Sequence, residues 1–118
     1  MTKPEYLILN VHIVVRPADL EKFWKGLEIS ASRVIEEKEC TLFEISYLEN
    51  KEKDQVDIYL YEAWTCTVEW FNEVQMNKPY YKPYLEATEK LWKRPREMTI
   101  SKRFPGKTHL KQTHFVKE

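Results

Sequence analysis

The chain has 118 residues, 42% of them hydrophobic, and its 19 basic and 19 acidic side chains cancel to zero formal charge. That length predicts one domain with a modest core of its own, and the balanced charge removes the field that would draw nucleic acid or an anionic membrane. Two cysteines, Cys40 and Cys66, lie far apart with no metal-ligand spacing, which excludes a disulfide scaffold and a structural metal site and suits a reducing, cytoplasmic compartment.

The first element is a strand over Tyr6 to Val15. Leu7, Leu9, Val11, Ile13 and Val15 share a wholly apolar face, and Ile8, Asn10, His12 and Val14 share a mixed one. Pro17 then opens a helix whose stripe is Leu20, Phe23, Trp24, Leu27, Ala31 and Val34. It should end near the charge run Glu36 to Glu39. Period two returns in Thr41 to Glu49 and in Gln55 to Trp64, on either side of the charged loop Asn50 to Asp54, so the pair reads as a hairpin. Its second strand sets Val56, Ile58, Leu60, Glu62 and Trp64 on one side.

Helical spacing resumes from Thr67 to Met76 and is broken by Asn77-Lys78-Pro79. A second helical piece carries Leu85, Thr88, Leu91 and Trp92 and stops before Pro95. Arg96 to Phe104 alternates as a half-exposed fourth strand. The division expected is a domain over 1–104 and a polar tail over 105–118. No apolar run is long enough for a membrane span.

The order β-α-β-β-α-β is that of an α+β, ferredoxin-like split βαβ unit, with an antiparallel sheet and helices on one face. Apolar residues on both faces of the first and third strands predict that two copies close their sheets together, giving a homodimer in the form of a dimeric α+β barrel.

Three stretches carry a resemblance: ILNVHIVVRPADLEKF, ISASRVIEEKECTLFEI and the strand end YEAW. They resemble the antibiotic biosynthesis monooxygenase family over roughly Leu7 to Phe104, with Pro17 where the family starts its helix and Glu62-Ala63-Trp64 as its Glu-x-Trp step. The departures are specific. Gln75 and Tyr80-Tyr81 stand where family members carry histidines, and Glu39 stands where the family has Gly before its Cys. The resemblance implies a cleft between sheet and helices that takes a small aromatic or polyketide-like substrate, a phenol, anthrone or quinol of secondary metabolism. It further implies oxygenation by O2 without cofactor, metal or flavin. Such substrates, once deprotonated, reduce dioxygen themselves, so the protein supplies orientation and stabilisation of the anion.

On that reading Asn10, His12 and Trp64 are the catalytic candidates, and Tyr80, Tyr81, Tyr84, Phe23 and Gln75 the substrate-binding ones. Each has a plainer competitor. Trp64 is either an aromatic wall or core, Asn10 either a buried amide holding a carbonyl or a wetted rim residue, and His12 either a proton acceptor or a satisfied core histidine. Tyrosines at helical spacing pack against a sheet by default. Glu62 is expected in a structural ion pair, with Arg33 as the partner, and Cys66 as a small buried hydrophobe. Two alternatives stay open: a haem-binding, haem-degrading enzyme, for which an axial histidine is missing, and a non-catalytic barrel that binds a small apolar ligand. The role of the tail, with His109 and His114, stays open too.

Overall fold

A computed structural model describes residues 5–111. Strand β1 (Leu7–Val15) leads through a Pro17–Asp19 turn of 3-10 helix into α1 (Leu20–Val34). The hairpin β2 (Cys40–Asn50) and β3 (Gln55–Trp64) follows, then α2 (Val68–Glu73), α3 (Tyr81–Thr88) and β4 (Glu97–Lys102). All strand pairs are antiparallel and the sheet order is β2-β3-β1-β4. This is the ferredoxin-like α+β arrangement that the order of periods predicts.

Local chemistry explains the joints. Arg16 is extended because it precedes proline, and its guanidinium bonds Asp19 at 3.1 and 3.2 Å, steadying the entry to α1. The hairpin turns because the Asn50 side chain accepts from Lys53 N–H at 3.2 Å and Asp54 takes a left-handed φ of 51°. Thr67 caps α2, its hydroxyl accepting from Trp70 N–H at 3.0 Å. Instead of one helix from Thr67 to Met76, α2 ends at Glu73 and a 3-10 turn over Gln75–Asn77 carries the chain to Pro79. The shorter helix leaves Val74 exposed but turns Gln75 fully inward.

The helices cover one face of the sheet. Leu7, Leu9, Val11, Ile13 and Val15 of β1 meet Val56, Ile58, Leu60 and Trp64 of β3 beneath Phe23, Leu27 and Val34 of α1 and Tyr84 of α3. Gly26 sits where α1 crosses α3. A Cβ there would lie 2.5 Å from Thr88 Cγ2, and Thr88 is fully buried with its hydroxyl bonded to Tyr84 O at 2.9 Å, so only glycine allows this approach.

The other face is open. Its apolar part comprises Ile8, Val14 and Ala63, all buried, and Leu48, Tyr59 and Tyr61, which are 59%, 40% and 41% exposed. After β4 the chain turns at Gly106, and Phe104 to Leu110 border a groove over one end of this face with Ile8, Asn10 and Tyr61. His109 lines that groove; His114 lies outside the described residues. Among the described residues no helix is long and apolar enough to cross a membrane.

Candidate functional site

Strand register decides which candidates can meet. On β1, Leu7 pairs with Trp64 and Leu9 with Glu62, both on the covered face, whereas Asn10 pairs with Tyr61 and His12 with Tyr59 on the open one. The sheet therefore separates Asn10 and His12 from Trp64 and the tyrosines, and these residues do not share a cleft. Asn10 is exposed rather than a buried amide. His12 is bound to the open face itself: its Nε2 lies 2.6 Å from Asp57 Oδ1 and its ring stacks on Tyr59, with centroids 4.6 Å apart.

Beneath the helices lies a narrow cavity. Its floor is the sheet (Leu9, Val11, Phe43, Leu60, Glu62, Met98) and its roof is Leu27, Ser30 and Val34 of α1 with Met76, Tyr81 and Tyr84. Arg96, at the entry to β4, completes the lining. The enclosed space is about 30 Å³, room for roughly two waters, so a ring-sized ligand enters only if the wall gives way. Met76 is the flexible part of that wall, on the short turn between α2 and α3.

Glu62 is the centre of this site. It is 5% exposed, and its Oε1 accepts a bond from Trp64 Nε1 at 3.0 Å. Among the described residues it has no ion-pair partner. Arg33, the expected one, lies instead over the Tyr80 ring at 5.8 Å. Burial pushes the Glu62 carboxyl up to about 7, against the downward pulls of the Trp64 N–H and the Arg96 charge. A carboxyl poised near neutrality in an apolar cavity can both take and return a proton.

Two groups face it with hydrogen-bonding capacity to spare. The Tyr84 hydroxyl is buried and has no hydrogen-bond partner among the described residues, an arrangement that costs about 1–3 kcal/mol unless something fills it. Burial raises the Tyr84 phenol while Arg96, close by but outside hydrogen-bond geometry, pulls it down. Arg96 itself stacks on Trp92 at 5.4 Å and makes no ion pair among the described residues. Burial also pushes the Tyr81 phenol far up, so it is a neutral donor or acceptor at any physiological pH.

The remaining candidates support the site from outside. Trp64 is fully buried, packs edge-to-face on Phe71 at 5.3 Å and orients Glu62 without lining the cavity. Phe23 is fully buried core, against Trp24. Gln75 is fully buried, and its Nε2 donates to the hydroxyls of Tyr80 at 2.6 Å and Tyr81 at 2.9 Å. Tyr80 in turn donates to Glu37, which pairs with Lys78 at 3.1 Å. Of the eight residues singled out from sequence, Tyr81 and Tyr84 line the cavity. Sequence reasoning missed Glu62 as the acid, Arg96, Ser30 and Met76. The signal for Glu62 was present: it is the one charge on the otherwise apolar side of β3. Burial pushes the Cys66 thiol up to about 11, with Glu39 adding to the shift, so it is no nucleophile near neutral pH.

No protein-family model matches the sequence, and no curated protein matches it significantly. Solved structures match closely. A protein from Nitrosomonas europaea superposes with a TM-score of 0.70 at 16% identity, over 90% of this chain and 97% of its own. A protein from Caulobacter crescentus gives 0.67 at 15%, over 86% and 92%, and one from Bordetella bronchiseptica 0.64 at 12%, over 85% and 98%. All three are named "putative antibiotic biosynthesis monooxygenase". The likeness that three short sequence stretches carry thus extends through the whole sheet and its helices, and this chain has the fold of the antibiotic biosynthesis monooxygenases.

Proposed function

We propose that this protein is a monooxygenase that oxidises a small, acidic aromatic compound, a phenol, quinol or anthrone-like molecule, with dioxygen and no bound cofactor, in the cavity under α1 and α3. The observation that carries this reading is the buried Glu62 carboxyl, oriented by Trp64, sharing a cavity with the unpartnered Tyr84 hydroxyl and Arg96. The Glu62 carboxylate takes a proton from the substrate. The charge that develops on the substrate oxygen is met by Tyr84 O–H and Arg96. The resulting carbanion reduces dioxygen, and collapse of the hydroperoxide leaves one oxygen atom as a carbonyl and the other as water, so that CH₂ + O₂ gives C=O + H₂O. Apolar walls keep bulk water from quenching the anion.

The homodimer belongs to this reading as well. Tyr59, Tyr61 and Leu48 expose apolar area on one face, where His12 is paired with Asp57 and Asp57 with Gln55 at 3.0 Å. A second copy, packed sheet to sheet, is the occupant of that face, and Asn10 and His12 serve the interface. We place the protein in the cytoplasm on the strength of its two free, unpaired thiols. Haem fits poorly. The cavity lining has no histidine to bind the iron.

The test is oxygen uptake with anthrone and hydroquinone panels. Uptake should exceed the protein-free rate and fall roughly 100-fold or more in Glu62→Gln; uptake unchanged by that substitution would overturn the assignment.

A further inference from the structure

The cavity holds everything needed for a reaction that consumes no oxidant. We infer that it also tautomerises small enolisable ketones, moving a proton between two carbons of the substrate. This inference rests on the covered-face cavity being the reactive site, and it does not require that dioxygen ever enter.

The geometry supplies one proton carrier and two carbonyl-binding groups around one cavity. On the floor, Glu62 is fixed between Leu9 of β1 and Phe43 of β2, its neighbours in the sheet, and the Trp64 indole holds Oε1. Oε2 accepts no hydrogen bond among the described residues, and Glu62 lines the cavity. On the roof, the Tyr84 hydroxyl is buried, lines the cavity and lacks a partner among the described residues, and Arg96, at the entry to β4, lines the same space and makes no ion pair among the described residues. A carbonyl oxygen lodged between Tyr84 and Arg96 satisfies both donors and places the carbon next to that carbonyl over Glu62 Oε2.

The step balances without a co-reactant. The α-carbon C–H bond breaks, its proton forms an O–H bond on Glu62 and the electron pair moves into a dienolate whose oxygen is held by Tyr84 and Arg96. The carboxylic acid then returns the same proton to the γ-carbon, the double bond moves into conjugation and Glu62 is again a carboxylate. Nothing is oxidised or reduced. The ligand class follows from the walls: a compact, uncharged body, because Leu27, Val34, Leu60 and Met98 are apolar and the space widens as Met76 retreats.

The probe is 3-cyclohexenone under argon, followed by the ultraviolet absorbance of the conjugated 2-cyclohexenone. The native protein should accelerate isomerisation over buffer. Glu62→Gln, which keeps an oxygen for the Trp64 bond, should lose roughly 100-fold or more, and Tyr84→Phe roughly 10-fold. Tyr84→Phe removes only a hydroxyl that lies close to Arg96 and Thr88, so with unchanged circular dichroism and thermal unfolding a loss there is chemical. The native rate should rise with pH to a plateau as Glu62 ionises. No acceleration by the native protein, or acceleration that survives Glu62→Gln, overturns the inference. Failure of oxygen uptake with Glu62-dependent isomerisation intact would instead sink the oxygenase reading alone, and Glu62-dependent oxygen uptake without isomerisation would sink this inference alone.

Discussion

Asp57 and Glu62 lie on the same strand, five positions apart, and point to opposite faces of the sheet. Both are nearly inaccessible, and burial pushes both upward, yet their outcomes differ. On the open face Asp57 is held by the Gln55 amide, the His12 ring and the Arg94 charge, which together outweigh burial and leave its carboxyl below the usual range. On the covered face Glu62 has one indole donor and the Arg96 charge, and burial wins. Depth of burial and the number of donors together decide whether a carboxylate on this sheet is structural or reactive: Glu62 lies deep in the protein with one donor, Asp57 lies close to the surface with two.

The largest effect on stability should come from Glu62. Its folded pKa of about 7 lies above the unfolded value of 4.5, so the folded state binds the proton more tightly and loses stability as pH rises from 4.5 to 7. Glu62→Gln removes that penalty. The variant should be more stable than the native protein by about 3 kcal/mol at pH 8, with the difference vanishing below pH 4.5, as read by urea denaturation at both pH values. A variant that gains activity-independent stability while losing turnover separates a reactive carboxylate from a structural one.

A middle-sized effect tests the open face. Tyr61→Glu places a charge amid the exposed tyrosines, on the face that the proposed second copy covers. The dissociation constant of the dimer should rise roughly 10- to 100-fold by analytical ultracentrifugation, with the secondary structure unchanged. A protein that sediments as a monomer before and after the substitution would remove the second copy from the account.

The smallest effect belongs to Asp57. A carboxylate whose folded pKa is depressed contributes stability above its unfolded pKa of 3.8 and loses it as pH falls through the folded value. Asp57→Asn should cost about 1 kcal/mol at pH 7, and the difference should disappear in acid. Glu62→Gln and Asp57→Asn thus shift stability in opposite directions at neutral pH, and a shared sign would break the comparison between the faces.

Much of this was legible in the sequence. Period two placed β1, β3 and the hairpin loop within a residue or two, and Pro17 and Pro79 marked real boundaries, because these signals are local. The two faces of β1 were also readable, the wholly apolar one being that under the helices. What could not be read was how the β1 face matches the β3 face. That depends on the pairing of Leu7 with Trp64, a contact between residues 57 positions apart, and without it Asn10, His12 and Trp64 look like partners. Arg96 and Met76 reach the cavity only through tertiary packing, so no local pattern announces them. Gln75 was noted as a missing histidine, but its structural role, holding two tyrosine hydroxyls, follows from the 3-10 turn that turns it inward.

The central claim is that Glu62 is a buried acid poised near neutrality, and it can be read without any substrate. Carboxyl carbon-13 chemical shifts of glutamate-labelled protein, assigned by difference against Glu62→Gln and followed from pH 4 to pH 9, report its ionisation directly. The account predicts one glutamate titrating with a midpoint near 7, absent from the variant. A Glu62 signal titrating near 4.5 with the other glutamates would contradict it.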